Sequence, residues 1–128
     1  MIPAKFSGHV HSLFRFIAGF LFFWHGTQKL FGWPPSSHGE APAFVKYVGG
    51  GLELVGGVLL MIGFMTRSTA FVCSGLMAAA YWMAHGTKSF LPIMNGGELA
   101  VLYCFAFLWL AAVGGGPFSV DAMKGKKG

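Results

Sequence analysis

The sequence predicts an all-α integral membrane protein, an up-down four-helix bundle, and three observations carry that prediction. Of 128 residues, 55% are hydrophobic and only 10% charged, with 14 Phe and 20 Gly, far from the mix of a soluble domain. A bilayer core asks for runs of about 20 apolar residues, and the chain divides into four of them, near 12–31, 44–65, 69–86 and 97–114. These runs are too long and continuous for the alternating strands of a membrane barrel, and backbone groups in lipid must pair internally, which leaves helices. Little sequence remains outside them, so residues 1–128 are expected to form a single membrane domain.

The first span is expected to be retained rather than cleaved. Its apolar run exceeds that of a signal peptide, and only Gly32-Trp33-Pro34-Pro35 follows it, with no small-residue cleavage site. Pro34, Pro35 and Ser36-Ser37-His38-Gly39 then break the helix. In the second span Gly49, Glu53, Gly56 and Gly57 share a face, and small residues at that spacing let a neighbouring backbone come close. Thr66-Arg67-Ser68 reads as a tight connection to an antiparallel third span. Pro92 and Asn95-Gly96-Gly97 mark the exit of the third span, and Gly114-Gly115-Gly116-Pro117 stops the fourth.

Basic residues gather on one side: Lys5, Arg15, Arg67, Lys124, Lys126 and Lys127 against Lys29, Lys46 and Lys88 on the other. The positive-inside rule therefore puts both termini in the cytoplasm, with the chain multi-pass in the inner (cytoplasmic) membrane. The net charge of +5 is then a basic fringe against anionic lipid, and nucleic acid is not needed to explain it. Cys73 and Cys104 fall at depths differing by roughly 10 Å, beyond disulfide reach, and read as small packing residues.

Helical arithmetic collects the polar groups. Arg15, Ala18, Phe22, His25 and Lys29 step by three and four along the first span, so its ionisable side chains share one stripe, expected to face the bundle. Ala78, Tyr81/Trp82, His85 and Lys88 follow one face of the third span, and Glu98 opens the fourth above Val101/Leu102 and Phe105. By depth, Glu53 falls near the midplane, His25 roughly 5 Å outward, and His85 and Glu98 roughly 11 to 12 Å outward. An uncompensated charge near a helix centre costs about 2.5 to 3.5 kcal/mol, so Glu53 should be protonated or paired with His25, Lys29 or His85. Arg15, near the cytoplasmic boundary, could snorkel, and Lys29, Lys46 and Lys88 read as interface anchors. His85 and Glu98 also suit their helix ends electrostatically, whatever else they do.

The His25-Gly26-Thr27 and His85-Gly86-Thr87 triplets, each ending an outward-going span and each followed by a Gly-Gly and a glutamate, fit two related hairpins about an axis along the membrane normal. A bundle di-metal site would need Glu-x-x-His on one helix, which is absent, and a bis-histidine haem would need His25 and His85 at one depth, which they miss by roughly 6 Å. No metal site is expected. No P-loop, dinucleotide fingerprint or CxxC occurs.

The order Arg15, His25-Gly26, Lys29, Phe31-Gly32, Leu52-Glu53-Leu54, Gly56-Gly57, Gly63, Thr66-Arg67, His85, Asn95-Gly96-Gly97-Glu98-Leu99, Gly116-Pro117, Ser119 and Asp121 resembles the DoxX family of small four-helix membrane proteins, over nearly the whole chain. The linker from Trp33 to Pro42 is less typical of it. The resemblance implies association with membrane redox assemblies: the family is named for a subunit of an archaeal terminal quinol oxidase, and relatives include thiosulfate:quinone oxidoreductase subunits. It transfers no catalytic role to a residue, and no stand-alone catalysis is expected. Two function classes stand. In one, His25, Glu53, His85, Glu98, Lys29 and Arg15 supply a ligand-binding or proton-relay site for a quinone headgroup in a larger complex, with Phe22, Trp24, Trp82 and Phe105 covering the tail. In the other, the same residues lock a structural subunit that docks on a larger membrane complex or on copies of itself. A small transporter is a third, weaker class.

Overall fold

The computed structural model describes residues 1–36, 39 and 41–125. Ser37, His38, Lys126 and Lys127, which entered the reading of the loop and the basic tail, lie outside the described residues. Every regular element among the described residues is helical. A 3-10 turn at Ala4–Phe6 leads into α1, Ser7–Phe31, which stops where Gly32 turns left-handed at φ 71°. A π-helical segment, Val45–Gly49, runs without a break into α2, Gly50–Ile62. The remaining elements are α3, Thr66–Ala84; the short α4, Pro92–Asn95; α5, Glu98–Val113; and the one-turn α6, Val120–Met123.

Boundaries differ from expectation in instructive places. The first helix starts at Ser7, ahead of the apolar run expected from residue 12. Thr66-Arg67-Ser68 is not a connection but the opening turn of α3; the link is Gly63-Phe64-Met65, shortened by the left-handed Gly63 and Met65. The side chain of Asp121 makes this possible, accepting from Met65 N at 2.9 Å and Thr66 N at 2.9 Å, so an acid from the C-terminal turn caps α3. Two stretches, Ala4–Phe31 and Val45–Ile62, are long and apolar enough to cross a membrane, and Glu98–Val113 is a shorter apolar helix. Thr66, Arg67, Ser68, Thr69 and Ser74 dilute α3.

Packing is pairwise: α1 lies along α2, and α3 along α5. The first pair is in backbone contact. A methyl at Gly26 would sit 2.8 Å from Gly50 O, and one at Gly57 would sit 2.8 Å from Phe23 Cα, so only small residues allow the approach. The two pairs meet around Phe22, fully buried, which packs against Phe107 at a ring separation of 4.7 Å and against Tyr103 at 5.5 Å. Beside it the Cys73 sulfur fills the space left by the absent side chain of Gly56. Cys73 and Cys104 are free thiols; Cys73 lies in the core, and Cys104 lies within 3.5 Å of Ser74 Oγ.

Arg15 departs from its expected behaviour. It does not snorkel; it is 3% exposed and donates to the carbonyls of Leu60 at 2.8 Å, Phe118 at 2.9 Å and Met61 at 3.3 Å, and to Gly115. The C-terminal turn folds back over it, and His11 pairs with Gly114 O at 2.7 Å. A planar fork with five donors suits this multiple carbonyl capture. Arg15 and Asp121 thus staple one end of the molecule, leaving the other end to open.

Candidate functional site

At the opposite end the helices part around a cavity of about 920 Å³. Its walls are His25, Gln28 and Lys29 from α1, Glu53 from α2, Met77 from α3, and Leu99, Ala100 and Tyr103 from α5; His85, Gly96 and Lys46 close the rim. At the floor, Lys29 Nζ meets Glu53 Oε1 at 2.6 Å, with the carboxylate side chain 3% exposed and the lysine 26%. The partner of Glu53, left open among three residues by sequence, is therefore Lys29. The absent side chain of Gly50 makes the contact feasible: a methyl there would press on Lys29 Cβ at 3.0 Å, across the path of the lysine stem.

His25, half-buried one turn before Lys29, stands edge-on to Tyr103, ring centres 5.9 Å apart and planes at 88°. Tyr103 in turn stacks along α5 on Phe107. Across the cavity, His85 caps the end of α3 and pairs through Nδ1 with Asn95 O at 3.1 Å. The buried Asn95 side chain donates to Tyr81 Oη at 2.9 Å and to Ser89 O at 3.0 Å, and accepts from Gly97 N at 2.8 Å. Gln28 donates to the carbonyls of Pro34 and Pro35, tying the first connection to the rim.

Of the six residues singled out by sequence, His25, Lys29, Glu53 and His85 line this one cavity. Arg15 lies ten residues back along α1, roughly 15 Å away, in the staple already described. Glu98 is exposed on the first turn of α5, outside the cavity wall. The expected resemblance of the two halves is therefore incomplete: the first histidine-containing helix reaches a buried glutamate through Lys29, whereas the second ends at the amide network of Asn95. Neither do the aromatics expected to cover a ligand tail line the cavity. Phe22 is core, Trp24 belongs to an outward ladder with Phe20 and Trp33, and Trp82 and Phe105 face outward. Tyr103, Met77 and Asn95 are the residues sequence reading passed over. A spacing of three and four from Ala100 through Tyr103 and Phe107 to Leu110 was the available signal, masked because α5 is apolar all round. Among the described residues no group of three or more His, Cys, Asp or Glu side chains comes together to hold a metal ion.

The fold is that of a small helical protein with two helices long and apolar enough to cross a membrane and a polar cavity set between its helices. The DoxX family model matches residues 10–86, and the chain belongs to that family. It is 37% identical over 123 residues to a protein of Haemophilus influenzae described as "Uncharacterized protein", covering 91% of this chain and 92% of the relative. It is 32% identical over 121 residues to "Putative oxidoreductase CatD" of Bacillus subtilis, covering 90% and 88%. A second Haemophilus influenzae protein is 28% identical over 121 residues, covering 87% and 80%. No solved structure matches the chain significantly.

Proposed function

We propose that this chain is a small multi-pass subunit of a quinone-linked redox assembly in the cytoplasmic membrane, its cavity taking a quinone headgroup. In this reading α1, α2, α3 and α5 form an integral four-helix bundle with both termini in the cytoplasm. The observation that carries it is the Lys29–Glu53 pair beside His25 and Tyr103, four hydrogen-bonding side chains converging on one cavity. A buried ion pair is a poor way to stabilise a helix bundle, and ionisable groups inside membrane helices mark ligand or proton sites by default. A flat ring with carbonyl oxygens would find donors at Lys29, His25 and Tyr103, and apolar contact at Met77 and Leu99. The family and a relative described as an oxidoreductase add support of a general kind.

The test is a titration of the purified protein in phosphatidylcholine nanodiscs with a short-chain ubiquinone, following the melting temperature. Saturable stabilisation is expected, weakened about tenfold in His25→Ala or Tyr103→Phe, the equivalent of one lost hydrogen bond. No saturable response of the wild type refutes the reading. The second reading, a purely structural subunit, draws on the same ion pair as a clamp between α1 and α2. It expects Glu53→Gln to lose co-purifying membrane partners while any quinone response stays unchanged.

A further inference from the structure

The connection between α3 and α5 carries more apolar surface than a loop needs. Phe90 is 91% exposed, Leu91 49%, Ile93 75% and Met94 71%, whereas Asn95 beside them is 7% exposed. That contrast is enforced. The three side-chain hydrogen bonds of Asn95 and the His85 contact to its carbonyl hold the inner side of the segment, and Pro92 opens the short α4. With the inner side fixed, the four apolar side chains project away from the protein.

We propose that residues 85–97 form an interfacial segment that lies in the lipid surface of the leaflet on the His25 side, with Phe90, Leu91, Ile93 and Met94 inserted between headgroups. Two further observations select lipid as the occupant. The segment is preceded by exposed Trp82 and Met83 on the last turn of α3 and followed by exposed Leu102 on α5. Residues 85–97 contain no carboxylate and include the exposed Lys88, whose stem can lie along the acyl boundary while its ammonium reaches lipid phosphates. Apolar side chains on one face with a cation beside them and Trp at the boundary are the features of a chain lying in the interface plane. The function of the segment follows from its attachments: His85 and Gly96 belong to the cavity rim, so lipid holds one wall of the site at headgroup depth. The proposal rests on the membrane-spanning reading above.

The experiment places nitroxide labels at Phe90→Cys, Ile93→Cys and Leu102→Cys, in a Cys73→Ala, Cys104→Ala background, in vesicles of phosphatidylcholine and phosphatidylglycerol. Collision with oxygen should exceed collision with a water-soluble nickel chelate severalfold at Phe90 and Ile93, as at Leu102. Nickel dominating at Phe90 and Ile93 alone overturns the proposal and leaves the spanning reading standing. Nickel dominating at Leu102 as well overturns both. Labels at Phe90 and Ile93 shielded from both reagents overturn it in favour of a protein partner. Should the cysteine-free background fail to fold, Phe90→Trp with the natural cysteines retained serves instead. Its added emission should be lost in vesicles of dibrominated phosphatidylcholine, and survival of that emission overturns the proposal.

Discussion

Lys29 and Glu53 show how much one side-chain contact decides. Removing the lysine strands a carboxylate that is 3% exposed, and breaking one partner of a buried pair costs about 3 to 5 kcal/mol. Lys29 is 26% exposed, so Lys29→Met should fall at the low end, about 3 kcal/mol. Glu53→Gln should cost less, since the amide still accepts from Lys29. In a double-mutant cycle of Lys29→Met with Glu53→Met, by unfolding in mixed detergent–dodecyl sulfate micelles, the pair should show a coupling of about 1 to 3 kcal/mol; additive losses would dissolve the pairing. Sequence placed His25 and Lys29 on one stripe and required Glu53 to be protonated or paired, because stripe and depth follow from helical pitch alone. It could not choose the partner, since the choice turns on Gly50 leaving room for the lysine stem. Arg15 was misjudged for a related reason. Depth permits snorkelling, but burial depends on residues 114–118 folding back over it, which no helical stripe reveals.

At the scale of elements, the contact between α1 and α2 separates glycines that look equivalent in sequence. Gly26 faces Gly50 O and Leu54 Cα within 2.9 Å of a would-be methyl, all of it backbone, whereas nothing lies within 4 Å at Gly51. Gly26→Ala should therefore destabilise by about 1 to 3 kcal/mol through overpacking. Gly51→Ala should be neutral or stabilise by up to about 1 kcal/mol through helix propensity. Equal melting temperatures for the two variants would contradict the close approach. The α3 terminus makes a second demand. Asp121 satisfies the Met65 and Thr66 amides, so Asp121→Ala should cost about 1 to 2 kcal/mol, in the range of a lost helix cap. Quinone binding at the far end should be untouched. Loss of binding equal to the loss of stability would join the two ends more closely than their geometry implies. The long helices were legible because each must satisfy its own backbone. Their boundaries were not, because the cap of α3 comes from a residue 55 positions away in sequence.

For the whole molecule, sidedness follows from the staple. His11 meets Gly114, Ser12 Oγ accepts from Phe118 N, and Arg15 reaches Gly115 and Phe118, so the N- and C-terminal segments lie at one end. Ser36, Gly39, Ala41 and Pro42 of the first connection, with His85 and Gly96, line the cavity at the other. In the spanning arrangement proposed above, the two termini emerge on one side of the membrane, whatever the orientation. In that arrangement, charge chooses the side. Lys5, Arg67 and Lys124 mark the stapled end, and a cytoplasmic leaflet favours them by about 1 kcal/mol per basic group. Green fluorescent protein fused at the C-terminus should fluoresce, and alkaline phosphatase at the same point should be inactive. Phosphatase inserted after Ser36 should be active, because Ser36, Gly39 and Ala41 line the cavity. An active C-terminal phosphatase with an inactive insertion would invert the molecule and open its cavity toward the cytoplasm. Activity at both points would break the antiparallel arrangement itself, since the staple at Arg15 and the cavity at Glu53 would then have to lie on the same side.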